Sequence, residues 1–195
     1  METVQEMDAI QVSPPVQTSE LKERKSTWNL DKEHAQLSFR LKHLLISEIE
    51  GAFRNFDIRF SVNANDFSDA SVEAAIHTPS IYTGNPERDK HLQIPAFFNV
   101  DRFPYIHFKS TSFVKTAERH YCLTGILSML GVKHLIDLDV VHNGNARDPE
   151  TGSALAGFTV RGRIKRSDFQ LASAVPTSVL SNEVNLIANL EFIKA

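Results

Sequence analysis

The sequence contains one cysteine, Cys122, among its 195 residues, so no disulfide can form within the chain. This cysteine lies in the strand-like stretch Tyr121-Cys122-Leu123. A lone cysteine in such a place usually behaves as a small hydrophobic side chain. We therefore expect a structural role for Cys122.

The chain also lacks a block of like charge and a long apolar run. Its 21 basic and 24 acidic residues are interspersed and give a net charge of -3. The sequence therefore predicts neither a nucleic-acid partner nor attraction to an anionic membrane surface. No run of about 18 apolar residues occurs, so we expect no helix that spans a bilayer.

The N-terminal stretch has little that would build a core. It is polar, contains two consecutive prolines and shows no sustained period of either strand or helix. Acidic residues stand at Glu2, Glu6 and Asp8, where a secretory signal would carry positive charge. We expect residues 1–25 to form a flexible arm, residues 26–195 to form one domain, and the protein to be cytoplasmic.

Most of the aromatic residues are phenylalanine. The chain has 13 Phe against one Trp and three Tyr, and Phe brings ring area to a core without a polar group that needs a partner. This balance suits a large, purely apolar interior. The length and the 42% apolar composition are enough for one substantial core.

From Trp28 onward the dominant pattern is an alternation of apolar and polar residues, which predicts β-strands with one buried face. The alternating segments are 35–42, 56–62, 72–76, 106–109, 136–140 and 158–164. Many strands at similar spacing predict an all-β sandwich or barrel. Glycines such as Gly51, Gly125 and Gly162 lie in or beside strand-like stretches and permit the bends that close a barrel.

One segment departs from the strand pattern. Asn85 is suited to cap a helix, Pro86 follows at the first helical position, and acidic residues come soon after. We predict a short helix that ends by Ile94, because Pro95 pushes the residue before it out of the helical region.

No motif for a known chemistry is present. The sequence contains no phosphate-binding loop, nucleophile elbow, dinucleotide fingerprint or kinase signature. Its eight histidines lack the short spacings of zinc sites, so we predict no metal site, cofactor or catalytic residue. Asp89 and His91 are two residues apart on the predicted helix, where side chains point in different directions. Arg88 and Asp89 are better suited to fix the helix against neighbouring loops.

A set of short matches in a fixed order resembles the YceI-like family. The set consists of Trp28-Asn29-Leu30-Asp31 with His34, Phe39, Lys42-His43-Leu44, Gly51-Ala52-Phe53, Phe56, Arg88-Asp89-Lys90-His91-Leu92, Phe97-Phe98, Phe103 to Phe108, Gly125-Ile126-Leu127, Gly131, Gly157-Phe158 and Arg166-Ser167-Asp168-Phe169. The resemblance runs from about Trp28 to Lys194. Gln170 departs from it, because the family usually has Gly there, and so does the absence of the leader that many members carry.

The resemblance implies an antiparallel, lipocalin-like barrel of about eight strands that holds a polyisoprenoid or a fatty-acid-like lipid, and often a homodimer. A barrel of this size can hold one small ligand. If the apolar residues of segment 35–42 point inward, the period of two also turns His43 inward, as a headgroup partner, a lid on solvent, or a core histidine bonded to backbone. The predicted ligand-binding residues are Leu37, Phe39, Leu41, His43, Phe53, Phe56, Phe60, Phe97, Phe98, Phe108 and Phe158.

Three functions follow from different interpretations of this interior. The first is the binding and carriage or storage of a long-chain lipid. The second is an enzyme that acts on a bound lipid, with His43 or the Asp89 and His91 segment as acid or base. The third is a ligand-free, stress-related interaction protein, which requires a fully packed barrel.

Overall fold

The computed structural model describes residues 26–63 and 67–195, so the predicted arm at residues 1–25 lies outside the described residues. The described chain forms eleven strands and one α-helix. The strands are β1 Ser26–Leu30, β2 Gln36–His43, β3 Ser47–Phe53, β4 Phe56–Val62, β5 Ser71–His77, β6 Ile81–Tyr82, β7 Tyr105–Ala117, β8 His120–Met129, β9 Val132–Arg147, β10 Ala154–Lys165 and β11 Glu183–Lys194. The helix α1 spans Pro86–Gln93, and short 3₁₀ turns span Thr78–Ser80 and Arg166–Phe169. No helix in residues 26–63 and 67–195 is long and apolar enough to cross a membrane.

The strands close into an antiparallel barrel with eight positions around its wall. β11 pairs with β10 on one side and with both β1 and β2 on the other, where Trp28 lies opposite Lys194 and Leu37 opposite Ala188. β1 and β2 therefore lie end to end and fill one position. β3 pairs with β2, and β4 pairs with β1, so β3 and β4 together fill the next position. β6 pairs with β3, and β5 pairs with β4, so β6 and β5 together fill the position after that. The predicted all-β barrel of about eight strands with one short helix is confirmed.

The wall is interrupted at one place. β7 pairs with β5 along Glu73–His77. β6 pairs with β3 but with no other described strand, so β6 and β7 are not joined. The chain after β6 forms α1 and the connection 94–104, which cover the wall beside β6 before β7 begins. This end of the barrel is called the mouth below. The segment 170–182, which joins the second 3₁₀ turn to β11, also lies here and is called the mouth segment.

The helix begins and ends as its sequence predicts. The side chain of Asn85 accepts hydrogen bonds from the backbone N–H groups of Glu87 and Arg88, each at 3.1 Å. These bonds satisfy two of the donors that the first helical turn leaves free. Ile94 is extended, as a residue before proline should be, and ends the helix.

Gln170 has a backbone conformation that glycine adopts more readily than other residues. Its backbone is left-handed, with φ of 57° and ψ of 19°, directly after the 3₁₀ turn that ends at Phe169. The backbone thus keeps a left-handed turn at this point, and the side chain of an L-residue is held there under strain.

Candidate functional site

The barrel encloses an apolar cavity of about 600 Å³ at its mouth. β2, β3, β8 and β11 supply one part of its wall, and α1 with Phe97 and Phe98 supplies another. The mouth segment lines it with Leu171, Val175 and Leu180. A volume of this size falls within the range of small-molecule sites, which is about 300–1,000 Å³.

A second, narrower cavity of about 130 Å³ continues deeper into the barrel. Its lining is wholly apolar and shares four side chains with the larger cavity, namely Leu37, Ile76, Leu127 and Leu186. The two spaces are therefore adjacent, and these four side chains line both. Together they form an elongated interior that suits a long apolar molecule.

The far end of the barrel is closed by a cluster of aromatic rings. The rings are Trp28, Phe60, Phe67, Phe158 and Phe192, and neighbouring centroids lie 5.2 to 6.4 Å apart. Such tilted and edge-on arrangements are the favourable ones for aromatic pairs. This aromatic plug leaves the interior with one open end, at the mouth.

Ten of the eleven predicted ligand-binding residues line this interior. Leu37, Phe39, Leu41, His43, Phe53, Phe97 and Phe98 line the large cavity. Phe60, Phe108 and Phe158 line the narrow one, together with Leu37. Phe56 lies apart from both and is buried in the hydrophobic core.

A glycine shapes the wall at Phe39. Gly51 lies directly opposite Phe39 on the neighbouring strand, and a β-carbon at Gly51 would come within 2.3 Å of the tip of the Phe39 ring. The ring therefore lies flat across the glycine instead of projecting into the cavity. The missing side chain at Gly51 helps to keep the interior open.

The polar groups of the cavity gather at the mouth. His43, Arg88 and His91 all line the large cavity there. Arg88 donates to the hydroxyl and the carbonyl of Thr83, both at 2.7 Å, and Asp89 accepts from the hydroxyl and the N–H of Thr83 at 2.5 and 2.8 Å. These bonds hold α1 to the end of β6, the role predicted for Arg88 and Asp89.

Asp89 and His91 do not meet. The carboxylate of Asp89 is bound to Thr83, while the ring of His91 packs edge-on against Phe97 with centroids 4.8 Å apart. The arrangement can position the polar end of a ligand, but these two residues do not form an acid–base pair.

The interpretation of the sequence missed Arg166, the most deeply buried charged residue at the mouth. It is 3% exposed, and its guanidinium donates to five backbone carbonyls. The acceptors are Leu171, Ala172, Val175, Leu180 and Ser181, at 2.6 to 3.3 Å. Burial lowers the pKa of Arg166 from its ordinary value, because the charged form loses its water. Arg166 thus binds five carbonyls of the mouth segment through one side chain.

Other wall residues were also missed, and for some a signal existed. Leu127, Met129, Ile164, Val184 and Leu186 line the large cavity from β8, β10 and β11. Ile164 and Val184 stand between polar neighbours, and this alternation would have placed them on the inward face, whereas the other three each have an apolar neighbour. The apolar residues of the mouth segment offer no such period.

A group of metal-ligand side chains lies outside the cavity. Asp31, His34 and Glu191 have ligand atoms within 4.8 Å of one another at the surface, where β1 ends. Nδ1 of His34 lies 2.9 Å from Asp31, which raises the pKa of His34 and lowers the pKa of Asp31. The same carboxylate accepts the N–H of Glu33, so the pair shapes the turn between β1 and β2.

Another hollow, of about 970 Å³, lies on the outer face of β9, β10 and β11. Charged side chains such as Asp139, Arg161 and Arg163 line it among apolar ones, so it lacks the almost wholly apolar lining of the interior.

Comparison with known proteins gives consistent matches over this fold. The model of the YceI-like domain matches residues 28–192. A UPF0312 protein of Yersinia enterocolitica is 37% identical over 170 residues, which cover 86% of this chain and 86% of the relative. The crystal structure of the Campylobacter jejuni YCEI protein is 32% identical with a TM-score of 0.72, and the match covers 78% of this chain and 88% of that one. A polyisoprenoid binding domain from Saccharophagus degradans shares the fold with a TM-score of 0.62 at 15% identity, and the match covers 86% of this chain and 98% of that domain.

Proposed function

The chain belongs to the YceI-like family, and from that premise we propose that it binds a long-chain isoprenoid or a related amphiphilic lipid in its barrel. The observation that carries the proposal is the elongated apolar interior with polar groups at its open end. The polyisoprenoid binding of the Saccharophagus degradans domain is a property of that protein, and it suggests the class of ligand to test here.

The ligand's orientation follows from the distribution of polarity. The apolar tail would lie along Leu37 and Leu127 toward the aromatic plug, because each buried methylene contributes about 0.8 kcal/mol. The polar head would remain at the mouth near His43, Arg88 and His91, where it keeps contact with water. We further propose that the protein carries this lipid between a membrane and an enzyme.

The two other functions predicted from the sequence receive less support. A ligand-free interaction protein requires a packed barrel, whereas the interior holds a cavity of about 600 Å³. An enzyme requires converging acid and base groups, and Asp89 is already bound to Thr83. We therefore propose a binding protein without a catalytic residue or cofactor. The homodimer stays a prediction.

The test is native mass spectrometry of the purified protein before and after incubation with polyprenols and fatty acids. We expect one lipid for each chain. Leu127→Trp should lower this stoichiometry, because Leu127 stands between the two cavities and a larger side chain there blocks the tail. Ile126→Trp is the matched control, since the neighbouring Ile126 is 38% exposed.

Two results would overturn the proposal: a wild-type protein that stays free of lipid under these conditions, or a folded Leu127→Trp variant that carries as much lipid as wild type. If Leu127→Trp fails to fold, Met129→Trp blocks the large cavity nearer the mouth.

A further inference from the structure

We propose that the tip of the hairpin between β2 and β3 docks the mouth of the barrel onto a lipid bilayer. The tip consists of Leu44, Leu45 and Ile46, and this group is called the apolar tip. The inference deepens the proposed function and rests on it, because a carrier of a membrane lipid needs a contact with the membrane at its open end.

The apolar tip is exposed to an extent that the fold does not require. Leu44 is 49% exposed, Leu45 64% and Ile46 86%. Single exposed apolar residues are ordinary on protein surfaces, but three consecutive aliphatic residues at a turn form a contiguous apolar projection. Removing such a projection from water favours its insertion into the interfacial region of a bilayer.

The backbone of the tip is strained by the side chains that it carries. Leu44 and Leu45 have φ of 50° and 64°, in the left-handed region that glycine and asparagine adopt more readily. A turn selected only for folding would use those residues. The leucines therefore work against the local conformation, and a role outside the fold accounts for their presence.

The apolar tip is continuous with the mouth of the cavity. His43 and Ser47, which flank the tip, both line the large cavity. The N–H of Leu44 donates to the carbonyl of Val179 at 2.8 Å, so the tip is tied to the mouth segment. Val179 lines the cavity as well and is 36% exposed. A bilayer in contact with the tip would therefore face the opening through which a lipid must pass.

The charge of this surface is small and balanced. Lys42 and Glu48 lie opposite each other at the base of the hairpin, and residues 170–182 contain no Lys, Arg, Asp or Glu. Contact with a bilayer would therefore come from the apolar side chains of the tip and not from attraction to charged headgroups. The sequence did not predict this surface, because hairpin and mouth segment are far apart in the chain and meet only in the fold.

The experiment measures binding of the full chain to vesicles of phosphatidylcholine and phosphatidylglycerol by co-sedimentation, and compares wild type with Leu45→Asp/Ile46→Asp. We expect the double variant to bind at least about tenfold more weakly, because it places two charges where apolar side chains enter the interface. Its thermal midpoint should not fall, since both positions are exposed and Asp tolerates the left-handed region better than Leu. Val114→Asp is the control: Val114 is 54% exposed on β7, away from the mouth.

Separate outcomes distinguish this proposal from the proposed function. Lipid loading from detergent solution, followed by native mass spectrometry, tests the cavity without a membrane, and the double variant should load as wild type does. Wild type that fails to sediment with vesicles, or a double variant that sediments equally well, would overturn the docking proposal whatever the loading result. A wild-type dimer that the double variant dissociates, without vesicle binding, would assign the apolar tip to a second copy of the chain and would also overturn it.

Discussion

Replacing Arg166 with Met tests whether one buried guanidinium holds the mouth segment in place. The substitution removes five hydrogen bonds to carbonyls and keeps much of the side chain's apolar volume. A hydrogen bond to a charged group contributes roughly 1.5–3 kcal/mol, but the dehydration of the buried guanidinium offsets a large part of that sum. We expect the free energy of unfolding to fall by about 3–5 kcal/mol, because a buried carbonyl left without a donor costs roughly 1–3 kcal/mol and part of that total is returned by removal of the buried charge.

Equilibrium unfolding in urea measures this loss. With an m-value of about 2 kcal/mol per molar urea, the midpoint should fall by roughly 2 M. Hydrogen exchange should also accelerate at the amides of the mouth segment, such as Leu171 and Ser181, because their neighbouring carbonyls lose the common donor. Arg166→Lys keeps the charge but has three donors instead of five, and should give an intermediate result.

The matched control is Arg163→Met, on the outer face of β10. Arg163 lies 3.6 Å from Glu183, and both side chains are more than half exposed. Such a pair contributes about 0–1 kcal/mol. If Arg166→Met costs no more than this control, the five bonds do not stabilise the mouth segment and the reasoning is wrong.

Three smaller predictions concern single positions. Gln170→Gly should raise the free energy of unfolding by about 0.5–1 kcal/mol in urea titrations, because glycine relieves a left-handed φ of 57° but loses more entropy on folding; an unchanged or lower value would contradict this. Gly51→Ala should cost about 1–2 kcal/mol in the same titration and push the Phe39 ring into the cavity, so that native mass spectrometry finds less bound lipid; full lipid occupancy would show that the ring has room elsewhere. His34→Gln should lower the thermal midpoint between about pH 4 and 6.5, because the contribution of Asp31 is lost as pH falls through its lowered pKa, and that of His34 as pH rises through its raised pKa; a difference that persists unchanged at pH 9 would refute the ionic interpretation.

The strands that could be predicted from the sequence are those with one solvent-exposed, polar face. Segment 56–62 alternates strictly, and β4 spans the same residues with Phe56, Ile58, Phe60 and Val62 buried. β11 alternates less clearly, because Ile187 and Ile193 stand on its outer side while Leu186 and Phe192 face inward. The period of two identifies a strand only when the opposite face is polar.

The same limit applies to the candidate site. A local pattern predicts which way a strand's side chains point, but not which distant segments come into contact. Inward parity located Phe39 and His43, because a strand fixes the direction of every second side chain. It could not locate the mouth segment, whose path is fixed by Arg166 through backbone carbonyls that any sequence possesses. It also could not show that Phe56 lies apart from the interior while Phe60, on the same strand, lines it.

Because the aromatic plug closes one end of the barrel, the barrel limits the length of lipid chain that it can bury. If each methylene takes up roughly the 30 Å³ of a liquid water molecule, the two cavities of about 600 and 130 Å³ together hold on the order of twenty-five carbon atoms. A channel open at both ends would let a longer chain pass through, whereas a blind channel stops it at Phe60 and Phe158. Affinity should therefore rise with every added carbon up to that length and then level off, because each further carbon remains in water at the mouth.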